Sequence, residues 1–453
     1  MPHRSAQPGP RTSQAVELVV AALGARGDGI ATHDGRPVYV AGALPGERVR
    51  ARLGAARGDG RAATLERVLA PAAERVAPAC RHFGTCGGCA VQHLARAAEL
   101  DWKRGLVAAA LAKRGLADAP VAPARVVAPG KRRRATFVAA RAGARVTLGF
   151  HQRRSHRLVD IAECPAIMPE LEALAAPLRD GLAGVLRDRE QIKLHAQATE
   201  TGIDLVIEAA RAPQLAEREA LAALAERLDL ARLTWRADGE LEPIAWRRPA
   251  RVSFAGIAVE PPPGAFLQPS ADGEAAIRAA VLAAMGSART VADLFAGVGT
   301  FALPLAAQAT VAAVHAVDIA GDHLDALAKA ARALGRAWIG VEQRDLFAAP
   351  LAGPELDRFN AVVFDPPRAG ARAQAAALAA SAVPAVVAVS CDPATFARDA
   401  RLLVDGGYRL ELVTPIDQFP WSAEVELVAA FRRPGSGAGA RTRTRSRRPP
   451  PAG

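Results

Sequence analysis

Between residues 14 and 75 apolar and polar positions alternate in short runs broken by turn signals. VELVVAAL is followed by a glycine-rich stretch holding Gly24, Gly27 and Gly29, and Asp34-Gly35 joins IATH to PVYVAG. RVRARL runs to a further turn at Gly58-Asp59-Gly60, and ATLERVL closes the set. Short alternating runs at close turn spacing, with few helix signals, predict a small antiparallel barrel.

The period then changes. A helical stretch is expected from about Leu94 to Gly115, and residues 125 to 265 mix strand-like pieces (ATFVAA, RVTLGF, GIDLVIEA) with an Ala/Leu/Glu helix near 213 to 228. From Gly264 onward strand and helix alternate: TVADLF, TFALPLAAQA, TVAAVHAVD, HLDALAKAARALG, IGVEQRD, FNAVVFD, and so on to VELVAAF. That pattern predicts a parallel sheet wrapped by helices. The expected fold class is α/β, with a Rossmann-like parallel sheet in the C-terminal half, an N-terminal β-barrel and a central α+β region. Expected boundaries are 14–75 for the barrel, 76–91 with 125–265 for the central domain, and 92–124 with 266–433 for the parallel sheet. Residues 1–13 and 434–453 are expected to be disordered.

Length and composition narrow the setting. At 453 residues the chain should divide into two to four domains. It has no run of about 18 uncharged apolar residues to span a membrane. The start, MPHRSAQPGPRTSQ, lacks the apolar stretch of a secretory signal, which points to a cytoplasmic protein. The net charge is +12, and the tail from Pro434 supplies five Arg and no acid, which leaves +7 for the rest. Such a tail cannot bury enough apolar surface to fold. The remaining excess favours a polyanionic partner, whereas the low aromatic content (4%) argues against extended base stacking.

Candidate chemistry sits at the predicted strand ends of the C-terminal half. After TVADLF comes Ala296-Gly297-Val298-Gly299-Thr300, where glycines let the backbone turn tightly into a helix and approach a ligand. The third glycine of the dinucleotide fingerprint is absent, so no pyrophosphate is demanded. Asp318 ends the next strand nineteen positions after Gly299, where a carboxylate would meet ribose hydroxyls. Asp345 ends the one after, within reach of an adenine amino group. Together these features point to S-adenosylmethionine as the bound donor. Asp365-Pro366-Pro367-Arg368 forms a rigid turn after FNAVVF, and its Arg suits phosphate or base recognition.

Val389-Ser390-Cys391-Asp392-Pro393 ends another strand, and Cys391 is the only cysteine in this half of the chain. Carbon 5 of uracil is too weak a nucleophile to attack a sulfonium methyl group. Thiolate addition at carbon 6 turns the ring into an enolate that can attack, and a base must then remove the carbon 5 proton. Candidate bases lie between Phe419 and Glu426.

These motifs closely resemble the RNA 5-methyluridine methyltransferase family. Its members carry F-x-Q-x-N, D-L-F-x-G-x-G-x-F, D-P-P-R, S-C-N-P and F-P-x-x-x-H-V-E. Here they read Phe266-Leu-Gln268-Pro-Ser270, Asp293 to Phe301, Asp365 to Arg368, Ser390 to Pro393 and Phe419 to Glu426. The resemblance implies donor or substrate contacts at Gln268, Phe295, Gly297, Gly299, Thr300, Asp318, Asp345 and Asp365. It implies Cys391 as nucleophile and Glu426 as base. Ser270 and Asp392 stand where the family has Asn, Asp318 where Glu is commoner, and Glu424 where His is usual. Glu424 is expected to raise the pKa of Glu426 by like-charge repulsion. The first barrel, with Ala43-Leu44-Pro45-Gly46-Glu47, is similar to the TRAM domain, an RNA-binding barrel.

The other cysteines are Cys80, Cys86, Cys89 and Cys164, a C-x5-C-x2-C set with a distant C-P. This looks like an iron–sulfur site, with zinc and a competing His82 as the alternative. The family resemblance favours a 4Fe–4S cluster. Between the third and fourth Cys lie Lys131-Arg132-Arg133-Arg134 and the run His151 to Arg157, expected to meet phosphate. RNA contacts are expected at Arg132, Arg133, Arg134, Phe266 and Arg368. By analogy with the family the substrate is expected to be 23S ribosomal RNA, with transfer RNA or cytosine-5 methylation as alternatives. The chain is expected to act as a monomer.

Overall fold

The computed structural model describes residues 14–333 and 338–435. The two ends expected to be disordered therefore lie almost wholly outside the described residues. Five strands from Ala15–Leu23 to Gly60–Ala70 close into a barrel, antiparallel as the turn spacing predicts except where Arg36–Ala41 runs parallel to Gly60–Ala70. Arg48–Arg57 shows why: its first six residues alternate exposed Arg with buried Val49, Ala51 and Leu53, so one face fills the barrel and the other meets solvent.

The central region is a seven-stranded sheet. In spatial order it runs Glu240–Trp246, Arg232–Ala237, Gly202–Glu208, Gln191–Thr199, Arg134–Ala142, Arg145–His151 and Leu158–Asp160. All neighbours are antiparallel except Gly202–Glu208 and Arg232–Ala237, which the helix Leu215–Arg227 joins as a crossover. Asp28 docks the barrel on this sheet. It is buried and paired with Arg57 of the barrel (2.7 Å) and with Arg153 (2.9 Å) and Arg154 (2.5 Å) of the loop after His151. Those two arginines of the 151–157 run are thus engaged with protein.

The C-terminal sheet has eight strands. Its order is Trp338–Gln343, Ala313–Asp318, Thr290–Leu294, Ala361–Phe364, Ala385–Ser390, Glu426–Arg432, Arg409–Asp417 and Arg125–Val126. The first five are parallel, and Ala361–Phe364 and Ala385–Ser390 are buried throughout. Helices cover both faces, which explains their unbroken Ala/Val runs. Glu426–Arg432 is antiparallel to both neighbours.

The expected boundary at 265 moves: Val252, Phe254 and Val259 pack with Val298, Leu303 and Ala330 of the C-terminal domain. The helix Arg96–Ala112 packs on the C-terminal sheet, with Val107 and Leu111 in its core. Among the described residues no helix is long and apolar enough to cross a membrane.

Candidate active site

The parallel strands end together, and the loop after Leu294 is forced by close packing. Phe295, Gly297 and Gly299 all have positive φ (63°, 53° and 95°). A Cβ on Gly299 would lie 2.7 Å from Leu327 Cδ1, so only glycine fits there. Gly297 N donates to Asp318 Oδ2 at 2.8 Å, and Ala320 N donates to Oδ1 at 2.9 Å. Asp318 thus ties the glycine loop to the next strand end. Asp345 Oδ1 accepts from Phe347 N at 2.8 Å, and the Phe347 ring lies 5.5 Å from that of Phe295. Thr300 is half-buried at the end of the loop. The structure therefore brings the predicted donor-binding residues to one edge. It adds Asp293, fully buried, whose pKa burial raises well above the usual range against the opposing effect of the Ala302 backbone N–H.

Strand register brings Cys391 and Glu426, the expected nucleophile and base, together. Ser390 lies opposite Leu427 in the antiparallel ladder, and one further step along it sets Cys391 opposite Glu426. Both line a cavity of about 310 Å³ together with Gln268, Phe266, Phe419 and Arg134. Burial, then the negative charges of Glu426 and Asp365, push the Cys391 thiol up to about 12, with Arg368 opposing them. Burial also carries Asp365 up to about 7. Glu426 is raised well above its ordinary value, first by burial, then by Asp365, with Glu424 the smallest contributor. The expected repulsion from Glu424 thus has the right sign but a minor share. Arg368 explains why: it lies 3.2 Å from Glu424 and 3.4 Å from Asp392, so the two substituted acids share one guanidinium.

A buried charge cluster holds the segment before Glu426. Lys103 is fully buried and meets Glu99 (3.0 Å), Asp417 (2.5 Å) and the Phe419 carbonyl (2.7 Å), while Arg96 also pairs with Asp417. Glu99 accepts from Trp421 N at 2.6 Å. Removing one member of such a cluster costs roughly 3–5 kcal/mol, because the other charges stay buried. The Trp421 carbonyl accepts from Ala90 N (2.8 Å) and Val91 N (3.0 Å), just past Cys89.

Comparison with known proteins agrees with this arrangement. Residues 255–433 match the family model for tRNA (uracil-5-)-methyltransferase. An uncharacterized RNA methyltransferase of Brucella suis is 45% identical over 423 residues, covering 93% of this chain and 99% of that protein. The 23S rRNA (uracil(1939)-C(5))-methyltransferase RlmD of Aeromonas salmonicida is 33% identical over 433 residues, covering 93% and 97%. The chain belongs to the RNA (uracil-5-)-methyltransferase family. The fold likeness extends to the tRNA (uracil-54, C5)-methyltransferase of Pyrococcus abyssi, solved with S-adenosyl-L-homocysteine. Its TM-score is 0.71 at 21% identity, over 92% of this chain and 99% of that one.

In this methyltransferase the three predicted RNA-binding arginines part ways. Arg134 lies over the Phe266 ring (4.4 Å) and donates to the Leu267 carbonyl (2.5 Å), and Arg132 faces the Phe419 ring at 5.7 Å. Phe266 is exposed beside the cavity. Arg133 is placed otherwise: it is buried, pairs with Glu274 at 2.5 Å and donates to the Gln268 carbonyl at 2.9 Å. It pins the central sheet to the catalytic domain and offers no guanidinium to a phosphate, which corrects the expectation for that residue. His195 and Arg236 of the central sheet also line the catalytic cavity, which no motif had suggested.

Cys80, Cys86, Cys89 and Cys164 converge on a second cavity of about 220 Å³. Burial pushes the Cys89 thiol up to about 12, and Cys86 and Cys164 are raised for the same reason. His82 Nε2 instead accepts from Ala162 N at 3.1 Å, so that ring is used by the backbone. Among the described residues no three His, Cys, Asp or Glu side chains converge tightly enough to hold a single metal ion.

Proposed function

We propose that this methyltransferase transfers the methyl group of S-adenosylmethionine to carbon 5 of a uridine in 23S ribosomal RNA, through a covalent bond between Cys391 and carbon 6. The observation that carries this reading is the register that sets Cys391 beside Glu426 in one cavity. The loop from Phe295 to Thr300, with Asp318 and Asp345, would hold the donor, while Gln268 and Asp365 face the uracil. In the first step the Cys391 sulfur bonds to carbon 6, and its proton passes to a buried carboxylate. Carbon 5 of the enolate then attacks the methyl carbon, and the S–C bond breaks with its electrons kept on sulfur as S-adenosylhomocysteine leaves. Glu426 removes the remaining carbon 5 proton, the C–H pair forms the C5=C6 double bond, and the sulfur leaves with the electrons of its bond. Arg132, Arg134, Phe266 and Arg368 would position the RNA.

The choice of ribosomal RNA rests on the similarity to RlmD across nearly the whole chain. A transfer RNA substrate is the second reading, favoured by the family model and by the archaeal structure. We place the protein in the cytoplasm as a monomer. A 4Fe–4S cluster is proposed on Cys80, Cys86, Cys89 and Cys164, where it would cross-link the loop 80–89 to the segment around Cys164. The methyl transfer itself needs no electron from it.

Glu426→Gln should stall after methyl transfer and leave RNA covalently held on Cys391, visible as a slow band on a denaturing gel. Mapping 5-methyluridine in ribosomal and transfer RNA from a deletion strain identifies the substrate. An absent band would overturn the covalent reading, and a missing mark in transfer RNA alone would overturn the ribosomal one.

A further inference from the structure

Gln418 follows the strand Arg409–Asp417 and is buried, yet none of the family motifs points to it. Its Nε2 donates to Gln268 Oε1 at 3.0 Å and to Glu426 Oε2 at 2.8 Å. Gln268 Nε2 donates in turn to Asp365 Oδ2 at 3.2 Å. The last contact orients the whole chain. Gln268 turns its nitrogen to the acid and its oxygen to Gln418, so Gln418 must present its own nitrogen. A flipped Gln418 would set two amide oxygens against each other. Its Oε1 is buried and has no hydrogen-bond partner, so nothing on that side competes for the orientation. The helix Ala271–Met285 packs directly on the side chain: a Cβ on Gly273 would lie 2.6 Å from Gln418 Cβ.

With Glu426 read as the base, as proposed above, we propose that Gln418 is a positioning residue that occupies Glu426 Oε2 with a donor and assigns proton removal to Oε1. The charged and titratable groups facing Glu426 are Asp365 and Cys391 at neighbouring strand ends and Glu424 in its own segment. Arg132, Arg134, His195 and Arg236 face the same cavity from the central sheet. Against burial and these negative neighbours, an N–H donor on Oε2 favours the ionised carboxylate. It also leaves one oxygen to receive the carbon 5 proton as the C5=C6 bond forms and the C6–S bond breaks towards sulfur.

The test is the pH dependence of methylation by the full-length enzyme, with Gln418→Met and Gln418→Glu beside wild type. Loss of a hydrogen bond to a charged group should move the midpoint of the rising limb to higher pH by about one to two units in Gln418→Met. Gln418→Glu, which replaces the donor with an acceptor, should move it further. Affinity for S-adenosylhomocysteine should stay unchanged by calorimetry. A rate lowered by one factor at every pH, with the midpoint unmoved in both variants, would overturn the proposal. If Gln418→Met fails to fold, the shift in Gln418→Glu decides alone. Shifted midpoints without a trapped adduct in Glu426→Gln would strike only the covalent reading. A trapped adduct with unmoved midpoints would strike only the role of Gln418.

Discussion

Two cavities share one wall and solve the burial of polar groups differently. Arg132, Arg134, Ala135 and Thr136 line both the catalytic cavity and the cysteine-lined one. On the catalytic side, the carboxyls of Asp365 and Glu426 are linked through Gln268 and Gln418, so side chains of this chain satisfy one another. On the cysteine side, backbone N–H groups and Gln92 oppose the effect of burial on Cys86, Cys89 and Cys164, and Arg132 on the shared wall interacts with the charge of Cys89 and Cys164. Burial keeps these three thiols protonated, and a bound metal would supply the positive charge that favours their thiolates. The difference separates a cavity whose buried carboxyls are linked by amide side chains from one lined by protonated thiols, which fits the separate roles proposed for them.

Substitution at Cys391 gives the largest expected effect. Cys391→Ala should lower methylation by roughly 10⁴-fold or more, as loss of a nucleophile does elsewhere. Binding of S-adenosylhomocysteine, measured by calorimetry, should stay near normal, because in the proposed mechanism the thiol acts on the uracil and not on the donor. Metal content should also be unchanged. Turnover retained by this variant would rule out thiol addition, and loss of metal would mean that the two cavities are not independent.

An intermediate effect is expected from the other side of the wall. Anaerobically purified protein should contain iron and inorganic sulfide, and Cys164→Ser should lose both. The thermal midpoint should then fall by roughly 5 °C, the consequence of about 2 kcal/mol in a domain of this size. Activity should fall too, since Ala90 and Val91 beside Cys89 donate to the Trp421 carbonyl in the segment leading to Glu426. Zinc without iron in the wild-type protein would replace the cluster with a single ion and break the contrast drawn above.

Glu424 offers the smallest and most specific change. Its negative charge raises the pKa of Glu426, so Glu424→Gln should move the rising limb of the methylation rate to lower pH. Glu424 is 41% exposed and paired with Arg368, and screening limits the shift to about 0.3 pH unit. A shift of a full unit would show that Glu424, and not burial with Asp365, governs the base.

Residues whose role depends on local chain geometry were legible in sequence. Gly297 and Gly299 follow a strand because the turn needs positive φ, and Asp318 ends a strand while Asp345 lies two residues past one, where each carboxylate accepts from a loop N–H. The barrel announced itself through alternation and turns. Arg133 was misread with its neighbours, although the strand period sets it on the opposite face from Arg132 and Arg134. A basic run looks uniform in sequence until one knows that Glu274 waits on one side. The only hint at Gln418 was a polar Asp417-Gln418 pair directly after the apolar end of a strand.

By itself the sequence determined the family, the alternation of strands and helices in the C-terminal sheet, and the candidate donor loop, nucleophile and four metal-binding cysteines, because each depends on residue type and short spacing. Tertiary structure decided what those residues face. The antiparallel insertion of Glu426–Arg432 beside Ala385–Ser390 brings Glu426 to Cys391. The docking of the central sheet supplies His195, Arg236 and the shared arginine wall. Packing of the helix Ala271–Met285 on Gln418 fixes the amide chain between the two acids. These contacts join residues far apart in the chain, and burial then sets their protonation, which no local pattern encodes.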